Sequence, residues 1–181
     1  MEFRNRYYGR RSRTYVRGVA RLNKPKIIFL GTHNSGRSQM AEAFLKRYAG
    51  DIFDVYSAGF DPKPIHPYAV RVMREIGFDI SNQQPKELRQ VTRNKFFAVA
   101  ITVCRKTEEE GCATILGAET RLNWKIGEPT NFEGTEEEKL AKFREVRDQI
   151  HEEIKSFLNE RGIIIQTDTT DETAKLLKEE K

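Results

Sequence analysis

The residues with the clearest chemical capacity sit together in Gly31-Thr32-His33-Asn34-Ser35-Gly36-Arg37-Ser38. The run is small and polar, and its arginine stands near the end. An arginine presents a planar fork of N–H donors that matches two oxygens of a tetrahedral oxyanion. Before it runs the apolar stretch Ile27, Ile28, Phe29, Leu30, and after it Met40, Ala41, Phe44, Leu45 and Tyr48 recur at helical spacing. Strand, short polar loop and helix together aim backbone N–H groups and a helix N-terminus at one point. The chemistry this predicts is capture of a tetrahedral oxyanion by residues 31–38.

Few other side chains offer chemistry. Glu128, just before Pro129, reads either as a proton donor or as a solvated loop glutamate. Cys104 ends an apolar run and Cys112 follows eight positions later. As residues alone, Cys104 fits a small buried hydrophobe, and Glu108, Glu109 and Glu110 disfavour a thiolate at Cys112. His33, His66 and His151 are the three histidines, and their spacing holds no metal-ligand pattern. His33 is expected to supply a loop N–H and a polar rim. No metal or cofactor is called for.

The elements that position these residues alternate between strand and helix. Phe53–Ser57 reads as a second strand. His66–Ile76 reads as a helix with Pro67 in its first turn, a stripe of Val70, Met73 and Ile76, and Gly77 at its end. Residues 84–91 suggest a short helix, Phe96–Val103 a strand buried on both faces, and Leu122–Trp124 a short fourth strand. Thr135 with Glu138 forms a capping box, and Leu140, Phe143, Val146, Ile150, Ile154 and Leu158 mark a long amphipathic helix behind it. The fold class predicted is α/β in three layers: a four-stranded parallel sheet with helices on both faces. In such sheets ligands bind at the carboxyl ends of strands, where the 31–38 loop falls. Residues 163–168 are a candidate edge strand.

Several ordered motifs resemble the low-molecular-weight protein tyrosine phosphatases, and most nearly their relatives the thioredoxin-coupled arsenate reductases. They are the loop length, Asn34, Arg37-Ser38 and Gln39-Met40-Ala41-Glu42, Tyr56-Ser57-Ala58-Gly59, Asp79-Ile80-Ser81-Asn82-Gln83, Ala100-Ile101-Thr102-Val103-Cys104, and Arg121-Leu122-Asn123-Trp124 with Glu128-Pro129. The resemblance covers roughly Lys26 to Leu158. It implies a cysteine nucleophile at position 31, where this chain has glycine. It implies that Ser38 would steady that thiolate; with glycine there, Ser38 is expected to cap the following helix. It implies that Cys104 and Cys112 form a relay whose disulfide thioredoxin reduces. It also places a general-acid Asp-Pro at 128–129, where this chain has Glu-Pro. Two departures near the chemistry imply a binding protein with impaired or absent turnover, a pseudoenzyme. The open alternative is an active arsenate reductase or phosphatase met as a nucleophile-free variant.

Charge is unevenly placed. Residues 1–26 carry nine Arg or Lys against Glu2 alone, a net +8 in a chain of net +5, which leaves −3 for the rest. Tyr7, Tyr8 and Tyr15 interleave with the arginines, a mixture that suits nucleic acid, although such runs are also found as solvated extensions. The expected organisation is a basic extension at 1–25, a phosphatase/arsenate-reductase-like domain at 26–160 and a second extension at 161–181. No apolar stretch reaches membrane-span length and no secretory segment is evident. With only two cysteines in the chain, the expected compartment is a reducing cytoplasm.

Overall fold

The computed structural model describes residues 24–103 and 117–165. Strands β1 (Lys26–Gly31), β2 (Asp54–Gly59), β3 (Phe97–Thr102) and β4 (Ala118–Asn123) form one sheet in the order β2-β1-β3-β4. All three pairings are parallel, with Gly31 opposite Gly59 and Leu30 opposite Thr102. Helix α1 (Arg37–Ala49) joins β1 to β2. Helices α2 (Pro67–Arg74) and α3 (Leu88–Thr92) precede β3. A 3-10 turn (Pro129–Asn131) and helix α4 (Glu136–Asn159) follow β4.

Side chains alternate across a strand, so β1 serves two cores. Ile27 and Phe29 face a large cluster with Met40, Phe44, Leu45, Ile150 and Ile154. Ile28 and Leu30 face a smaller one with Leu88, Val91 and Phe97. This explains why β1 reads as a continuous apolar run: both faces are covered. The expected three-layer parallel α/β architecture is thus what the chain forms.

The differences lie at element ends. Helix α2 buries Ala69, Val72 and Met73; of the predicted stripe Met73 is buried, Val70 packs partly buried against the core and Ile76 is exposed. Gly77 adopts φ +77°, and the Phe78 N–H reaches the Met73 carbonyl at 3.0 Å. That closure ends the helix at Arg74, leaves Ile76 exposed and turns Phe78 onto the Phe44 ring, 4.7 Å between centroids. Strand β4 is longer than predicted; as an edge strand with partly exposed side chains it lacks an apolar signature. Residues 163–165 form no strand, and Ile163 packs into the core; 166–168 lie outside the described residues. The capping box is present, with the Thr135 and Glu138 side chains bonded to each other's backbone N–H. No helix among the described residues is long and apolar enough to cross a membrane.

Candidate functional site

The loop after β1 is a cradle because of where its carbonyls go. Thr32 O accepts from the N–H groups of Phe60 (2.9 Å) and Asp61 (3.0 Å), His33 O from Lys63 (3.0 Å), and Ser35 O from His66 (2.8 Å). These partners belong to the segment after β2. In a planar trans peptide the N–H points opposite to the C=O. The N–H groups of His33, Asn34 and Gly36 therefore turn away from that segment, toward the cavity. Gly59 permits the approach: a Cβ there would lie 2.8 Å from both Asn34 N and Thr32 O. The cavity, about 50 Å³, is lined by residues 31–38 together with His66, Val103, Glu128, Pro129, Thr130 and Phe143.

Asn34 holds the loop's shape. It takes φ +48° and is buried. Its Nδ2 donates to Ser38 Oγ (3.1 Å) and Ser57 Oγ (2.8 Å), and its Oδ1 accepts from the Lys86 N–H (2.8 Å) and Gln39 Nε2 (3.0 Å). The side chain is thus wholly occupied as scaffold, which leaves Asn34 its backbone N–H for the cavity. Ser57 in turn donates to Glu42, a buried carboxylate that also meets Lys86 at 3.1 Å. Ser38 does not cap α1 as expected. The helix has Gly36 as its N-cap, with no side-chain cap, and Ser38 Oγ is the acceptor for Asn34. An uncapped first turn leaves its partial positive charge facing the loop.

Arg37 is the buried cation of the site. Its Nη1 donates to the carbonyls of Val103 (2.7 Å) and Ile126 (3.0 Å), and its Nη2 donates to Glu128 Oε2. Glu128 is partly exposed; its carboxylate pairs with Arg37 and its Oε1 accepts from Thr130 Oγ1 at 2.9 Å. His33 stays at the rim, with Nδ1 3.0 Å from the Asp61 carbonyl. Among the described residues no group of three metal-ligating side chains exists. Cys104 and Cys112 lie outside the described residues.

One lining residue escaped the sequence. His66 caps α2, its Nδ1 accepting from the Tyr68 N–H (3.2 Å), and its ring stacks on Phe143 with centroids 4.7 Å apart. Burial pushes its pKa below the usual histidine value, and the charge of Glu128 partly opposes this. Accepting at Nδ1 fits the neutral ring with its proton on Nε2. The Asx/Ser/Thr rule for caps gave no reason to look at a histidine, although Pro67 beside it marks the helix start. Helix α2 is itself clamped to α4. Arg144 meets Glu75 bidentately at 2.8 and 2.9 Å, and Arg147 Nη1 donates to the Val72 carbonyl at 2.9 Å.

The family model for low molecular weight phosphotyrosine protein phosphatases matches residues 26–170, and the chain belongs to that family. Within it the chain is similar to arsenate reductases. That of Halalkalibacterium halodurans is 46% identical over 136 residues, 75% of this chain and 96% of the relative. That of Bacillus subtilis is 41% identical over 131 residues, 72% of this chain and 93% of the relative. A solved arsenate reductase in the phosphate-binding state superposes with TM-score 0.61 at 29% identity, covering 75% of this chain and 98% of that one.

Proposed function

We propose that this chain captures a tetrahedral oxyanion, arsenate or phosphate, in the 31–38 loop and holds it without turnover. The observation that carries this reading is the orientation of the loop. Carbonyls bonded outward and a buried Arg37 leave converging donors around an otherwise small cavity. The phosphate-binding state of the similar solved reductase supports a ligand of that size and charge. Gly31 brings no nucleophile, and covalent transfer by this fold's loop requires one. Calorimetric titration with phosphate tests the reading. Binding by the parent chain that is lost in Arg37→Ala is expected; no heat at millimolar phosphate would remove it.

The second reading is an arsenate reductase lineage that keeps its redox pair. Its support is the named activity of the relatives together with Cys104 and Cys112 in this sequence. Under it the two cysteines form a disulfide on mild oxidation and thioredoxin reduces it. Two thiols that stay free after diamide treatment, seen by mass spectrometry, would leave this chain without a relay. The domain boundaries at 25 and 160 and a nucleic-acid partner for the basic extension stand as further parts of the proposal.

A further inference from the structure

The cavity also holds the means to choose among oxyanions. Around it converge donors: the N–H groups of His33, Asn34 and Gly36, and the Arg37 guanidinium. Three guanidinium hydrogens are engaged, two by the carbonyls of Val103 and Ile126 and one by Glu128, and a guanidinium carries five. Arg37 therefore keeps N–H groups for a ligand while Glu128 stays beside it. Among the described residues Glu128 is the one acidic side chain lining the cavity. It is held at both oxygens, Oε2 by Arg37 and Oε1 by the Thr130 hydroxyl at 2.9 Å.

An ionised carboxylate only accepts hydrogen bonds. A bare ligand oxygen brought against it meets charge with charge. A ligand carrying an O–H donates to it and is held. Hydrogen phosphate and hydrogen arsenate carry such a hydrogen at neutral pH, and sulfate carries none. Size and shape are otherwise nearly the same, so the acceptor decides. We propose that Glu128 makes the 31–38 site selective for protonated tetrahedral oxyanions, hydrogen phosphate and hydrogen arsenate, against sulfate. The proposal rests on the oxyanion site proposed above. It gives Glu128 the role of a fixed acceptor in the bound state, separate from any proton delivery to a leaving group. A site built to accept a ligand's O–H disfavours the analogue lacking it, because its own acceptor is then left facing lone pairs.

The test compares phosphate, arsenate and sulfate by calorimetry at neutral pH and equal ionic strength. The parent chain should bind phosphate and arsenate more tightly than sulfate by about tenfold or more, well short of what a fully buried partner gives because Glu128 is partly exposed. Glu128→Gln keeps the size and offers an N–H₂ donor, so sulfate should gain affinity until the ratio nearly vanishes. Glu128→Ala removes the acceptor without adding a donor and should fall between the two. Circular dichroism confirms that each variant is folded. Sulfate bound as tightly as phosphate by the parent chain, or a ratio unchanged in folded Glu128→Gln and Glu128→Ala, overturns the selectivity. If Arg37→Ala still abolishes all binding in that case, the oxyanion site survives. No binding of any anion by the parent chain and by Glu128→Gln removes the site and the selectivity together.

Discussion

At the scale of the residue, Gly31 decides what the loop does. Its φ is not in the left-handed region, so the backbone does not require glycine there. A Cβ would sit 3.3 Å from Ser38 Oγ and 3.8 Å from Val103 Cγ2, a close but open berth over the serine hydroxyl. Gly31→Cys should therefore fold and place a thiol at the cavity floor, where loop amides and the helix N-terminus favour the thiolate. The parent chain should not hydrolyse an aryl phosphate, and the variant should. Robust turnover by the parent chain, abolished by Arg37→Ala, would mean the nucleophile lies elsewhere. Binding should move the other way. Each unit of like charge about 4 Å from the anion costs on the order of 4 kcal/mol at an effective dielectric near 20. The parent should therefore hold phosphate more tightly than Gly31→Cys where the thiol is ionised, and the gap should close as acid protonates it. Equal affinities at every pH, measured by titration calorimetry, would contradict this.

At the scale of the element, the loop and the two helices that flank it carry the geometry. Asn34 holds a left-handed conformation and four side-chain hydrogen bonds to Ser38, Ser57, Lys86 and Gln39. Asn34→Ala leaves the strain and removes the bonds, a cost of about 1–3 kcal/mol. Urea denaturation should register that loss, and phosphate affinity should weaken because the inward N–H groups are no longer fixed. A variant as stable as the parent would show the loop to be held elsewhere. Helix α2 has a pH dependence of its own. Burial holds the His66 pKa below its ordinary 6.5, so the unfolded chain takes up the proton first. Stability contributed by the neutral ring is full above 6.5 and is lost as pH falls from there through the lower folded value. His66→Asn keeps a helix-capping side chain and removes the titration. Its unfolding free energy should decline less than the parent's between neutral and mildly acid pH; parallel declines would remove His66 as the cause.

At the scale of the whole molecule, charge is divided along the chain. Residues 27–181 carry a net −3, whereas residues 1–26 carry +8. If the extension recruits nucleic acid, deleting residues 1–23 should abolish retention on immobilised RNA or DNA at low salt and leave phosphate binding intact. Retention by the parent should fall steeply as salt rises, as counterion release demands. Undiminished retention by the shortened chain would place nucleic-acid contact on the domain instead.

The apolar run of β1, the helical spacing after Arg37 and the Thr135–Glu138 box are local patterns, and the sequence alone determined them together with the parallel α/β class and the 31–38 loop. Short-range sterics and burial periodicity act between neighbours in the chain, so they can be read there. The motif run also carried the family. Other features needed the fold. The 91-residue reach from Arg37 to Glu128, the outward bonding of the Thr32, His33 and Ser35 carbonyls, the stacking of His66 on Phe143 and the early stop of α2 at Arg74 all depend on contacts between distant segments. Hydrogen-bond direction and side-chain partner choice are properties of packed surfaces, and only the tertiary structure brings those surfaces together.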